Sequence, residues 1–114
     1  MAESTHLYIL WTNADIHTSQ LMLMMYATNS MTNQWWDGVT VIIWGATAKL
    51  TAENKMIQEH LKIAQHVGLK FSACVACARQ LGVVEKLEEL GVEVIGWGDP
   101  LTKILQSGGK LLSV

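Results

Sequence analysis

The 114-residue sequence predicts an α/β fold: a single three-layer domain, residues 1–114, built around a mostly parallel five-stranded sheet. Three observations predict it. Short apolar, often β-branched runs alternate with longer segments of helical spacing, the pattern of strands joined by crossover helices. The run Val39-Thr40-Val41-Ile42-Ile43-Trp44 does not alternate with polar residues in the way a half-exposed strand does, which fits a strand covered on both faces. The length allows one core, because a second would be starved of apolar surface.

The elements follow in order. His6 to Trp11 is a first strand, and Thr12-Asn13-Ala14-Asp15 is the loop after it, with Asn13 or Asp15 suited to accept the free amides of a helix start. From Ile16 to about Thr32 neither Pro nor Gly interrupts the chain, and Leu21 to Ala27 is apolar nearly all round, so this helix is expected to be buried on more than one side. Asp37-Gly38 turns the chain into the strand Val39–Trp44. Gly45 to Lys49 is read as a loop, after which Leu50, Ile57, Leu61 and Ala64 share one helical face up to Gly68. Lys70 to Cys74 is a third strand, followed directly by a short helix closed at Gly82. Val84, Leu87 and Leu90 mark another helix that stops at Gly91, and Val92 to Ile95 is the fourth strand. Asp99-Pro100 offers an N-cap and a first helical position for a helix through Gln106. Lys110 to Val114 is a last strand at the edge of the sheet.

Composition excludes several classes of function. Half of the residues are hydrophobic and 16% are charged, rich in apolar side chains for so small a domain, and part of that surface is expected to face another subunit. The longest apolar runs are far shorter than the roughly 20 residues of a spanning helix. The N-terminal Met-Ala-Glu-Ser-Thr-His lacks the pattern of a secretory leader, so the expected compartment is the cytoplasm. A net charge of −2 without a basic cluster gives no footprint for nucleic acid. P-loop, G-x-G-x-x-G, G-x-S-x-G and H-E-x-x-H motifs do not occur.

In open parallel sheets the crevice lies beyond the carboxyl ends of the strands. Residues placed there by this reading are Trp11 and Asn13, Trp44, Gly45 and Lys49, the segment Cys74 to Cys77, and Trp97. Trp11, Trp44 and Trp97 either wall one aromatic pocket or cap the core. Lys49 and Arg79 are candidates to hold a thiolate or an anion, with solvation the competing role.

Cys74-Val75-Ala76-Cys77 is the sharpest motif. A cysteine at a helix start meets free backbone amides and the positive end of the helix dipole, which stabilise the reactive thiolate. Cys77, three residues on and on the same helical face, is placed to resolve a disulfide or persulfide formed at Cys74. Zinc and simple packing are the competing readings. For zinc the pair is half a site, which His17, His60 or His66 would have to complete. Neither a resident metal nor a cofactor is expected. Thioredoxin-like exchange fits less well, since the motif follows the third strand and the only proline, Pro100, opens a helix.

The segment Phe71-Ser72-Ala73-Cys74-Val75-Ala76-Cys77-Ala78-Arg79-Gln80-Leu81-Gly82-Val83 resembles the active-cysteine segment of the DsrE/DsrF-like, TusD-related sulfur-relay family. In that pattern a strand ends in the cysteine, small residues follow, and a glycine lies eight positions on, as Gly82 does. The likeness extends through Val39 to Gly45 and Leu87 to Val94, less clearly over the first helix. It implies a YchN-like, flavodoxin-like α/β fold and a homotrimer or homohexamer. It also implies carriage of persulfide sulfur on Cys74 between donor and acceptor proteins. Cys77 departs from the pattern, standing where a small apolar residue is common. The reading from another class is a non-catalytic oligomeric binding or regulatory module with a tryptophan-lined crevice.

Overall fold

In the computed structural model, which describes residues 5–114, five strands form one sheet in the order β4-β3-β2-β1-β5. The N-terminal residues used to judge a leader lie mostly outside the described ones. The strands are β1 (His6–Trp11), β2 (Gly38–Ile43), β3 (Lys70–Cys74), β4 (Glu93–Ile95) and β5 (Lys110–Ser113). Every pairing is parallel, so the sheet is wholly rather than mostly parallel.

Six helices connect them. Helix α1 runs as Ile16–Thr18, a π-helical stretch Ser19–Met24, and Met25–Thr32. The others are α2 (Ala46–Glu53), α3 (Lys55–His66), α4 (Val75–Leu81), α5 (Val84–Glu89) and α6 (Gly98–Gln106). Among the described residues no helix is long and apolar enough to cross a membrane.

The handedness of parallel crossovers explains the layering. From β1 through β4 the chain steps in one direction across the sheet, so right-handed connections put α1 to α5 on one face. The return from β4 to β5, on the far side of β1, runs the other way and carries α6 to the opposite face. The main core accordingly joins Leu7, Ile9 and Trp11 of β1 and Val39, Val41 and Ile43 of β2 to Leu23, Ala27, Ile57, Leu61 and Leu87 of the helices. On the other face the smaller cluster of Ile42, Cys74 and Trp97 meets Leu101 and Ile104 of α6. The third layer is this one helix, and much of that sheet face stays open.

Local chemistry places the element ends. Asn13 Oδ1 accepts the Asp15 amide at 2.9 Å, and Asp15 Oδ2 accepts the Thr18 amide at 2.9 Å, so both expected caps act in series at the start of α1. That bond, with the Thr18 side chain adding to it, lowers the Asp15 carboxyl below its usual range. The segment read as loop plus one helix is instead two helices. Helix α2 starts at Ala46, and Asn54, in an extended conformation, accepts the Ile57 amide at 2.9 Å to cap α3. A short amide side chain competes with the backbone in this way and favours a break.

On the amino-terminal side of the open face, Gly38 packs against the His6 ring, where an added Cβ would meet Nδ1 at 2.6 Å. The ring is held by Thr40 Oγ1 at 2.8 Å and by Tyr8 at a centroid distance of 4.6 Å. Gly38→Ala must therefore displace this ring, and a loss of about 1–3 kcal/mol in urea unfolding is expected. A neutral Gly38→Ala would show that the ring swings away freely.

Candidate functional site

Alternation along β3 sends Phe71 and Ala73 to the main core and Ser72 and Cys74 to the open face. Cys74 is the last residue of β3 and the N-cap of α4, with φ −67° and ψ 120°, so the chain turns from strand to helix at the cysteine itself. Gly82 ends α4 in the left-handed conformation at φ 69°, the usual helix stop for a residue without Cβ. Cys74 is buried, at 6% exposure, and Cys77 is half-buried; both are free thiols.

The two thiols are neighbours across the first turn of α4. The Gly45 amide donates to Cys77 Sγ at 3.3 Å, tying the loop after β2 to the first turn of α4. Burial pushes the Cys77 thiol above its ordinary value of 9.0; the Gly45 amide opposes the rise, and the charge of the neighbouring Cys74 adds to it.

Around the pair lie residues of β2 and β4 and of the segments that follow them. Trp97, at 5% exposure, packs with Cys74 and Ile42, and Trp44 and Ile95 join the cluster. The Trp97 indole donates to Ser72 Oγ at 2.7 Å, and Ser72 Oγ donates to Glu93 Oε1 at 2.8 Å. This chain runs from the cysteine cluster to a groove of about 760 Å³ on the open face, lined by Tyr8, Thr40, Ser72, Glu93 and Trp97 among others.

The structure brings together only part of the expected set. Cys74, Cys77, Gly45, Trp44 and Trp97 meet. Trp11 does not: it is fully buried in the main core on the opposite face, because period-two alternation in β1 points it away from Leu10 and Tyr8. Of the three strand-end tryptophans, two adjoin the thiols and one belongs to the core. Asn13 stays in the exposed loop before α1, where its carbonyl accepts Trp11 Nε1 at 3.0 Å. Lys49 stands on α2 rather than in a loop, exposed beside Ala14, Ala46 and Glu53. His60 lines a depression with Leu21, Met25 and Ile63 between α1 and α3.

Ser72, Glu93 and Ile42 were not singled out by the sequence. Ser72 was accessible to it, since a residue two before Cys74 on a strand must share its face. Glu93 was not, because its approach to Ser72 depends on the β3–β4 register.

Taken together, a wholly parallel sheet with a free cysteine pair at the carboxyl end of an interior strand defines a small α/β protein of thiol character. The model of the DsrE/DsrF-like family matches residues 4–114. The chain belongs to that family. Among solved structures it is similar to a conserved protein of unknown function from Bacteroides thetaiotaomicron, with 37% identity, a TM-score of 0.94, and coverage of 96% of this chain and 95% of that one. It shares its fold with a protein of unknown function from Methanobacterium thermoautotrophicum, at 16% identity, TM-score 0.77, and coverage of 98% and 100%. The ychN protein of E. coli shares it too, at 18% identity, TM-score 0.68, and coverage of 96% and 99%. No match is found among curated proteins.

Proposed function

We propose that the chain is a small sulfur-relay protein that carries persulfide sulfur on Cys74 between a donor and an acceptor protein. The observation that supports this most is the free Cys74 at the strand-to-helix turn ending β3, within a chain of the DsrE/DsrF-like family. In the loading step the Cys74 thiolate attacks the outer sulfur of a donor persulfide. The donor thiolate leaves with the electron pair of the broken S–S bond, and Cys74 becomes a persulfide. Transfer to an acceptor thiol repeats the exchange in the other direction. Neither step requires an added oxidant or cofactor.

The same proposal places the protein in the cytoplasm, where free thiols persist, as a homotrimer or homohexamer. An apolar strip supports the assembly: Leu21 and Met25 on α1 and Met56 and Ile63 on α3 are more than half exposed, and grouped exposed apolar side chains mark interaction surfaces.

Intact-mass spectrometry before and after incubation with a sulfane-sulfur donor tests the carrier role. A gain of about 32 Da, removed by reductant and absent in Cys74→Ser, is expected. Equal loading of Cys74→Ser would remove Cys74 from the role.

The groove beside Glu93, Ser72 and Tyr8 favours a second reading, a non-catalytic binding module. Under it, Cys74→Ser would keep its ligand and no donor would load the wild type.

A further inference from the structure

We propose that Cys77 discharges the Cys74 persulfide within the same chain, releasing hydrogen sulfide and leaving a Cys74–Cys77 disulfide. This rests on the carrier reading above and adds a reaction to it.

Geometry carries the inference. The two cysteines occupy the N-cap and the third position of α4, neighbours across one helical turn. A disulfide needs Cα atoms about 4.4–6.8 Å apart, a separation this spacing supplies. The Gly45 amide, 3.3 Å from Cys77 Sγ, fixes the rotamer and stabilises negative charge on that sulfur as it forms. The wall of Trp97, Ile42 and Ile95 keeps bulk reductant from the inner sulfur of Cys74, which leaves Cys77 as the thiol with access to it.

The step balances. The Cys77 thiolate attacks Cys74 Sγ; the bond from that sulfur to the outer sulfur breaks, and hydrosulfide departs with the electron pair. It takes up the proton that Cys77 gave, so one persulfide and one thiol become one disulfide and one molecule of hydrogen sulfide. The outer sulfur is reduced and the Cys77 sulfur is oxidised, while Cys74 Sγ exchanges one S–S bond for another, with no external oxidant. Attack at the inner sulfur expels hydrosulfide, a weaker base than an alkyl thiolate and so the better leaving group. The cycle closes when a dithiol reductant reopens the disulfide. Because Cys77 holds its proton above the ordinary range, discharge is slow near neutrality and quickens as pH rises, leaving an acceptor protein time to compete.

The experiment follows wild type and Cys77→Ser after loading with a sulfane-sulfur donor and removal of the excess. Wild type is expected to pass from about 32 Da above the reduced mass to about 2 Da below it, with matching sulfide in a trapping assay. Cys77→Ser is expected to keep its added sulfur at least about tenfold longer, as loss of an intramolecular nucleophile demands. Loading followed by equal persistence in both proteins overturns the inference and leaves the carrier intact. Sulfur found on Cys77 by peptide mapping also overturns it. An equilibrium arm in glutathione redox buffer decides the case even where neither protein loads, which by itself would sink the carrier reading. Formation of the Cys74–Cys77 disulfide, with its loss of about 2 Da, supports the proposed geometry, and mixed glutathione disulfides alone overturn it.

Discussion

Trp11→Ala is expected to cost about 3–5 kcal/mol in urea unfolding, the range for removing a buried tryptophan from a packed core. Trp11 is fully buried among residues of both β-strands and helices. Its indole donates to the Asn13 carbonyl at 3.0 Å and to Ser19 Oγ at 3.2 Å, and Ser19 Oγ donates to the same carbonyl at 3.1 Å. The ring thus fastens the end of β1 to the π-helical stretch of α1, where the wider helix brings Ser19 beneath it. Its own carbonyl accepts Thr47 Oγ1 at 2.7 Å and the Trp44 amide at 3.2 Å, so the loop after β2 hangs on the same residue. Trp11→Phe keeps most of the buried area but leaves Ser19 and Asn13 short of a donor, and about 1–3 kcal/mol is expected. A cost below about 1 kcal/mol for Trp11→Ala would mean that the core collapses into the vacated space, and the anchoring account would fall.

The strands were legible because their residues obey simple rules. Val39 to Ile43 had to lie inside a sheet, and the observed strand differs from the expected one only at its ends. The strand-to-helix turn at Cys74 followed from the glycine stop at Gly82 and the short run between them. Helix starts were less legible where a side chain had a stronger claim elsewhere. Asp99 and Pro100 have N-cap and first-position chemistry, yet α6 begins at Gly98 with Trp97 at the cap. The Trp97 indole is fixed to Ser72 and packed on Cys74, which turns the chain earlier. Asp99 instead pairs with Lys103 at 3.0 Å, an exposed contact worth about 0–1 kcal/mol. The tryptophans show the same limit. All three stand at strand ends, but the face each takes is decided by alternation and by which face the crossover helices cover. The open face of the sheet, and with it the groove, follows from the strand order, which composition and spacing do not encode.

Trp97→Ala is expected to speed alkylation of Cys74 at least tenfold, measured with iodoacetamide in a Cys77→Ser background. Cys74 is 6% exposed and Trp97 5%, and the indole is held over the sulfur cluster by its 2.7 Å bond to Ser72. Removing the ring opens the sheet face above the thiol, and reactivity follows access as well as thiolate fraction. Trp97→Phe separates the two contributions, because it keeps an aromatic cover and loses only the bond to Ser72. An intermediate rate places the hydrogen bond in control of the cover, and a wild-type rate places packing there. Loss of global stability would also expose the cysteine, so the rate is taken at several low urea concentrations. Local access gives a rate that is flat with urea, whereas global unfolding gives one that climbs with the slope of the unfolding curve. A Trp97→Ala rate equal to wild type would mean that reagents reach Cys74 past Cys77 instead. The side from which a donor protein approaches would then be the turn at Gly45 and α4 rather than the open face of the sheet.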